Sequence, residues 1–265
     1  MSRAPQASGS LLQTENVTMQ FGGLTAVKDL TMDVKAGSLF GLIGPNGAGK
    51  TTIFNMLTGV YDPTKGDVYF AGTRINGRRP SDIASLGIAR TFQNIRLFSG
   101  MTVIENVMTA RHLRSRQVLG DAVLRTSRHH TEERENRRRA MELLEVFQLE
   151  TVADYDALSL PYGSQRRLEI ARALATDPKI LLLDEPAAGM NPEESQHLAQ
   201  LIRWLRDEMR LTILLVEHNM RVIMSICETI QVIDYGQTIA VGTPDEIQHT
   251  AKVIQAYLGS PVKPA

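Results

Sequence analysis

Cysteine is almost absent from this sequence. The one thiol, Cys227, can form neither an intrachain disulfide framework nor a zinc site built on cysteines, and both exclusions suit a reducing compartment. Net charge is absent too: 29 Lys and Arg balance 29 Asp and Glu, so no overall field favours nucleic acid. Long apolar runs are missing. The longest purely aliphatic one, in "ILLLD" (180–184), is far short of the roughly 20 residues that cross a bilayer. The opening "MSRAPQASGSLLQ" lacks the apolar core of a signal peptide. The expectation is a soluble, cytoplasmic chain that would dock on a membrane rather than enter it. What remains is an ordinary globular composition, 43% apolar and 22% charged over 265 residues, enough for one or two domains with an ample core.

Residues 1–11 read as a loose tail. "ENVTMQF" and "LTAVKDLTMDV" alternate apolar and polar residues around "GG", which predicts an antiparallel hairpin covered on one face. "SLFGLIG" is continuously apolar, as a strand buried on both faces must be; "DVYFAG" and "GIARTFQ" read as further strands. From about 100 to 158 no strand pattern occurs. Thr102 and Glu105 form a capping-box pair. Ala140, Leu143, Leu144 and Phe147 make a helical stripe, and a polar, basic stretch lies between. Beyond 175, strands ("KILLLDEP", "TILLVEH", "TIQVIDYG", "QTIAVG") alternate with helices. One helix is capped by Asn191, Pro192 and Glu194; another begins near Met220; a last one opens at the capping box "TPDEI" and reaches about Leu258. The fold class expected is α/β: a mostly parallel sheet with an antiparallel β-hairpin region at the N-terminus and an inserted α-helical subdomain. The core would comprise 12–99 and 159–258, the helical subdomain 100–158, and the tails 1–11 and 259–265.

Residues 44–51, "GPNGAGKT", fit G-x-x-x-x-G-K-[ST] completely, between a buried strand and a helix. Gly44, Gly47 and Gly49 let backbone N–H groups turn inward. The helix start adds roughly half a positive charge. Lys50 would reach the β- and γ-phosphates, and Thr51 would place a hydroxyl on Mg²⁺. "ILLLDEP" ends in two acids at the carboxyl edge of a strand, where open α/β sheets bind ligands. Asp184 is placed to orient Mg²⁺. Glu185 is the candidate to polarise the attacking water, a role contributing roughly 10²–10⁴-fold. Gln93, closing "ARTFQ", is a candidate to ligate Mg²⁺ or position water, although a strand-end Gln is unremarkable by itself. His218, after "TILLV", could contact the γ-phosphate; taken alone, a histidine there is more often packed or solvated. The run "RENRRR" (134–139) reads as a solvated helix face, since Glu132, Glu133 and Glu135 adjoin it.

One stretch stays odd. "SLPYGSQRRLEIARAL" (159–174) ends as a helix, with Leu168, Ala171, Leu174 and Ala175 on one face. Yet it begins with a proline, a glycine and small polar residues, and no side chain there can do chemistry.

Taken together these segments resemble the nucleotide-binding subunits of ABC transporters over about 12–258: Walker A at 44–51, Q-loop at Gln93, signature motif near 160–165, Walker B at 180–184, Glu185, D-loop "AAGMNP" and switch His218. "RTFQNIRLF", "PYGSQRRLEIARAL" and "DEPAAGMNP" look closest to the ATPase of bacterial branched-chain amino acid importers. The resemblance implies a P-loop NTPase core and an ATPase using ATP and Mg²⁺. It implies nucleotide contacts at Gly44, Pro45, Asn46, Gly47, Ala48, Gly49, Lys50, Thr51 and Thr52, adenine stacking on Phe21, and Gln93 and His218 as catalytic neighbours of Glu185. It also explains the odd helix start: Tyr162, Gly163, Ser164 and Gln165 would face the γ-phosphate held by a second ATPase subunit, a paralogue or another copy, in a head-to-tail dimer. That family's motif is usually L-S-G-G-Q. Here Pro161 replaces the serine, so its hydroxyl contact is missing and Gly163 and Ser164 must carry the interaction. Two membrane permeases and, indirectly, an extracytoplasmic solute-binding protein complete the implied assembly, on the cytoplasmic face of the inner membrane. Importers of urea, amides or other amino acids stay open, as does a soluble ATPase of the superfamily acting on nucleic acid or ribosomes. A GTPase would need an N-K-x-D clamp, which is absent.

Overall fold

The computed structural model describes residues 9–111 and 127–258. Within these, the chain divides into two compact units, one from the chain up to Arg90 together with Ile180 onward, the other Thr91–Lys179. Residues 1–8 and 259–265 of the expected tails, and 112–126, which hold the first half of the basic stretch, lie outside the described residues; Ser10 and Leu11, expected in the loose tail, instead open the first strand. No described helix is long and apolar enough to cross a membrane.

The first unit holds two sheets. β1 (Ser10–Phe21) and β2 (Leu24–Lys35) form the hairpin expected from their alternation, Phe21 facing Leu24 across the two glycines. β4 (Lys65–Phe70) and β5 (Thr73–Arg74) extend it in the order β2-β1-β4-β5. The second sheet runs β10-β9-β3-β8-β7-β6. Its members are β3 (Leu39–Ile43), β6 (Ile88–Arg90), β7 (Ile180–Asp184), β8 (Thr212–Val216), β9 (Thr229–Asp234) and β10 (Gln237–Gly242). Only β10 is antiparallel. Every residue of β3, β7 and β8 is buried, which is why these strands read as unbroken apolar runs. Leu12, Leu30 and Phe70 of the first sheet, Leu42, Leu182 and Leu214 of the second, and Ile53 and Phe54 of α1 (Lys50–Leu57) share one hydrophobic cluster. Because β3, β8 and β7 are neighbours and parallel, whatever follows their carboxyl ends is gathered at one edge.

The other helices of this unit are α2 (Pro80–Leu86), α6 (Pro192–Met209), α7 (Met220–Ile226), α8 (Pro244–Gln248) and α9 (Ala251–Leu258). Asn191 and Glu194 cap α6 reciprocally, and Leu198, Ile202 and Leu205 form its buried face. Thr243 and Glu246 cap α8 in the same way. The single C-terminal helix expected is in fact two. The Thr250 hydroxyl donates to the Glu246 carbonyl (2.7 Å), while the Thr250 carbonyl already accepts from Val253 and Ile254. A threonine bonding back to the preceding turn closes one helix as it opens the next.

The second unit is helical: α3 (Val103–Arg111), α4 (Ser127–Val146) and α5 (Tyr162–Leu174), with short 3₁₀ turns at Glu150–Val152 and Ala157–Ser159. Among its described residues the only β contact is a bridge between Thr102 and Asp156. Thr102 and Glu105 cap α3 as expected, the Thr102 N–H donating to the Glu105 carboxylate (2.8 Å). The arginine run on α4 is neutralised by neighbouring acids: Glu135 pairs with Arg138 (2.7 Å) and Arg139 (2.6 Å), Glu142 with Arg138, and Asp154 with Arg137 (3.2 Å). The side chains of Arg137, Arg138 and Arg139 are more than half exposed, so it is a solvated face.

Candidate functional site

β3 feeds the loop 44–49, and α1 starts at Lys50. Gly49 is the N-cap at φ +107; a Cβ there would sit 2.7 Å from the Ala26 carbonyl oxygen, so only glycine fits. No side chain caps α1, and its first turn holds no acid, which leaves the N–H groups of that turn directed at whatever binds there. The Lys50 ammonium folds back over the loop, donating to the carbonyls of Gly44 (2.6 Å) and Pro45 (3.0 Å). Burial lowers its pKa, and the charges of Glu185 and Asp184 oppose that fall. Asn46, Gly47 and Thr51 face solvent; Thr52 is half-buried and Ala48 buried. The Ala48 carbonyl is tied to the Gly236 N–H (2.9 Å) in the β9–β10 turn.

Two strands away, β7 delivers Asp184 and then Glu185. Asp184 is nearly buried and pairs with Arg90 at the end of β6 (2.8 Å); Arg90 also donates to Asn55 of α1 (2.7 Å). Glu185 sits at φ +47, a left-handed conformation uncommon outside glycine, and its N–H donates to the Val216 carbonyl (2.8 Å). Its carboxylate lies 3.5 Å from Nδ1 of His218, which is mostly exposed just past β8. Lys50, Asp184, Glu185 and His218 therefore share the carboxyl edge of three adjacent strands. Among the described residues no group of three or more His, Cys, Asp or Glu could hold a metal. An ion held mainly by phosphate oxygens and water, as Mg²⁺ is, needs no such cage. Phe21, at the end of β1, is 40% exposed and meets Tyr61 edge-on at 5.2 Å, which leaves ring surface for a stacking partner.

Three residues of this unit had no motif to announce them. Glu217 is fully buried and accepts N–H groups from Ala187 (2.7 Å), His218 (3.2 Å) and Asn219 (3.3 Å); burial raises its pKa, against the pull of those donors. An acid immediately after the apolar run "ILLV" was the available signal. Arg90 was legible only as one cation among many. Tyr257 of α9, more than a third exposed, lies against the Gly44 backbone; partial desolvation pushes its hydroxyl up to about 12, against the pull of the Gly44 contact. A cleft of about 560 Å³ lies between residues 45–48 and α9, lined also by Tyr235, Lys252 and Gln255. Lys50, Asp184 and Glu185 do not line it, so it is not the place expected for the triphosphate.

In the second unit, Pro161 is the N-cap of α5 and offers no side-chain bond. Tyr162 is exposed, and Gly163, Ser164 and Gln165 are half-buried. The Gln165 amide reaches back to the carbonyls of Leu158 (3.1 Å) and Leu160 (2.8 Å), and Ser164 accepts from Arg167 (3.1 Å). These two side chains thus shape the helix start. Gln93 lies in the loop beyond β6 rather than at the strand's end, because pairing with β7 stops at Arg90. Its carbonyl and that of Phe92 accept from Arg166 (2.7 and 2.6 Å), which also pairs with Glu169 (2.8 Å), both fully buried.

Residues 27–188 match the ABC transporter family model, and residues 237–263 match that of the branched-chain amino acid ATP-binding cassette transporter. The chain is 46% identical over 254 residues to the high-affinity branched-chain amino acid transport ATP-binding protein BraF of Pseudomonas aeruginosa, covering 95% of this chain and 99% of that one. Among solved structures it resembles the ADP conformation of MJ1267, an ATP-binding cassette of an ABC transporter (TM-score 0.81, 29% identity, 95% of this chain and 99% of that). It also resembles the dimeric post-hydrolysis state of the cassette MJ0796 bound to ADP and Pi (TM-score 0.75, 27% identity, 88% and 99%). Kinship at this level, over this much of both chains, makes the protein an ATPase of the ABC transporter family.

Proposed function

We propose that this chain is the ATP-hydrolysing subunit of an importer for branched-chain amino acids. The observation that carries the chemistry is the 3.5 Å approach of Glu185 to His218, on the strand edge where Lys50 closes over the phosphate loop. BraF, at 46% identity, and the matched C-terminal segment 237–263 support the solute class.

The residues fit a nucleoside triphosphate. The uncapped start of α1 and the Lys50 ammonium bind its β- and γ-phosphates; Lys50 exchanges the Gly44 and Pro45 carbonyls for phosphate oxygens. Phe21 stacks on the base. Mg²⁺ when bound neutralises charge on the phosphates, and Thr51 and Asp184 are groups that would hold it. Glu185 accepts a proton from the water that attacks the terminal phosphorus, and His218 orients the Glu185 carboxylate and the terminal phosphate. The bond between the γ-phosphorus and the bridging oxygen breaks, leaving ADP and phosphate.

The start of α5, from Tyr162 to Gln165, faces the terminal phosphate of a partner ATPase. Closure of two subunits completes each site and drives two membrane permeases, with a solute-binding protein delivering the amino acid outside. The chain works at the inner face of the membrane, held there by the permeases. Uptake of labelled leucine by cells lacking this subunit tests the reading. It should fall to background and return with the intact gene but not with a Glu185→Gln copy; undiminished uptake would remove branched-chain amino acids as the solute.

A further inference from the structure

The loop that carries Glu185 is strained, and one buried side chain outside every motif holds it. Glu185 adopts φ +47, a conformation that persists in a residue with a Cβ only where its surroundings over-determine it. The constraints come from the end of β8. The Glu185 N–H donates to the Val216 carbonyl (2.8 Å). Two residues on, the Ala187 N–H donates to the Glu217 carboxylate (2.7 Å). The other oxygen of that carboxylate accepts the N–H groups of His218 (3.2 Å) and Asn219 (3.3 Å). One fully buried acid thus joins the loop after Glu185 to the loop that bears His218.

We propose that Glu217 is a positioning residue for hydrolysis: its carboxylate fixes the backbone on both sides of the Glu185–His218 approach and so sets the placement of the Glu185 carboxylate. Three backbone donors converge on two oxygens, which requires a group that only accepts. A glutamine would turn an NH₂ toward one of those N–H groups and release one loop from the other. Because "AAGMNP" begins within the tethered stretch at Ala187, a movement of that loop is transmitted to His218 through the same carboxylate. The inference rests on Glu185 being the general base.

The test measures steady-state ATP hydrolysis, ATP affinity by calorimetry and thermal midpoint for the full-length chain carrying Glu217→Gln, Glu185→Gln or both. Misplacing a catalytic group by about 1 Å costs on the order of 10²-fold. Glu217→Gln should therefore lower kcat about that much while ATP affinity stays within about twofold, and should lower it little further in the Glu185→Gln background. Unchanged kcat in Glu217→Gln, beside an inactive Glu185→Gln, overturns the positioning role alone. Equal fractional losses in both backgrounds assign Glu217 to general folding and overturn it too. Wild-type activity in Glu185→Gln would remove the base itself, and the positioning role with it. If the glutamine variant does not accumulate folded, Glu217→Asp, which keeps the charge one methylene short of one loop, is read by the same comparisons.

Discussion

The Arg166 guanidinium donates to the Gln93 carbonyl at 2.7 Å and to the Phe92 carbonyl at 2.6 Å, so the helix that begins at Tyr162 is fastened to the loop that carries Gln93. Glu169 completes the fastening, pairing with Arg166 (2.8 Å) and accepting the Arg96 N–H (3.2 Å). Burial raises the Glu169 pKa and the Arg166 charge opposes that rise. Removing one member of a buried pair strands the other. Arg166→Ala should therefore cost about 3–5 kcal/mol by chemical denaturation, whereas Arg166→Met with Glu169→Leu should recover most of it. Equal losses in the single and double variants would show that the cost does not come from a stranded Glu169 charge.

Lys50→Ala should weaken ATP binding roughly 10- to 100-fold, the weight of a charge-assisted hydrogen bond or two. Calorimetry on the isolated chain reads this directly, and an unchanged Kd would take Lys50 out of the phosphate site.

Glu185→Gln should leave ATP binding intact and lower turnover by about 10²–10⁴-fold. Pre-steady-state and steady-state phosphate release are the measurements; near-normal turnover would exclude the general-base role.

Gly163→Phe should suppress hydrolysis without lowering the ATP affinity of the isolated chain, since the start of α5 is assigned to a partner's nucleotide. A monomer that loses affinity instead would place this helix start over its own site.

Cys227 is buried, and burial pushes its thiol up to about 12. The thiolate is therefore scarce at neutral pH. Native protein should resist a thiol reagent at pH 8, and the urea-unfolded chain should react within minutes; fast native labelling would contradict the packing of Cys227 against Gly41.

Much of the architecture was legible because its signals are local. Alternation across "GG" foretold the β1–β2 hairpin, and unbroken apolar runs foretold the doubly covered β3, β7 and β8. Side chains paired three residues apart foretold the caps at Thr102, Asn191 and Thr243. The split at Thr250 was not legible, because a threonine hydroxyl bonding backward looks in sequence like any helical threonine. In the site, Lys50, Asp184 and Glu185 stood out by type and spacing. Glu217 and Arg90 did not, since their importance is in what they touch.

By itself the order of residues determined the phosphate loop, the strand-end acids and the family, because each depends on neighbours a few positions apart. Only the folded chain decided that β3, β8 and β7 lie side by side, which brings Lys50, Glu185 and His218 from far-apart positions to one edge. It also decided that Glu217 turns inward to hold two loops at once. Strand order and side-chain burial arise from packing between distant segments, and no short stretch of sequence encodes its own partner.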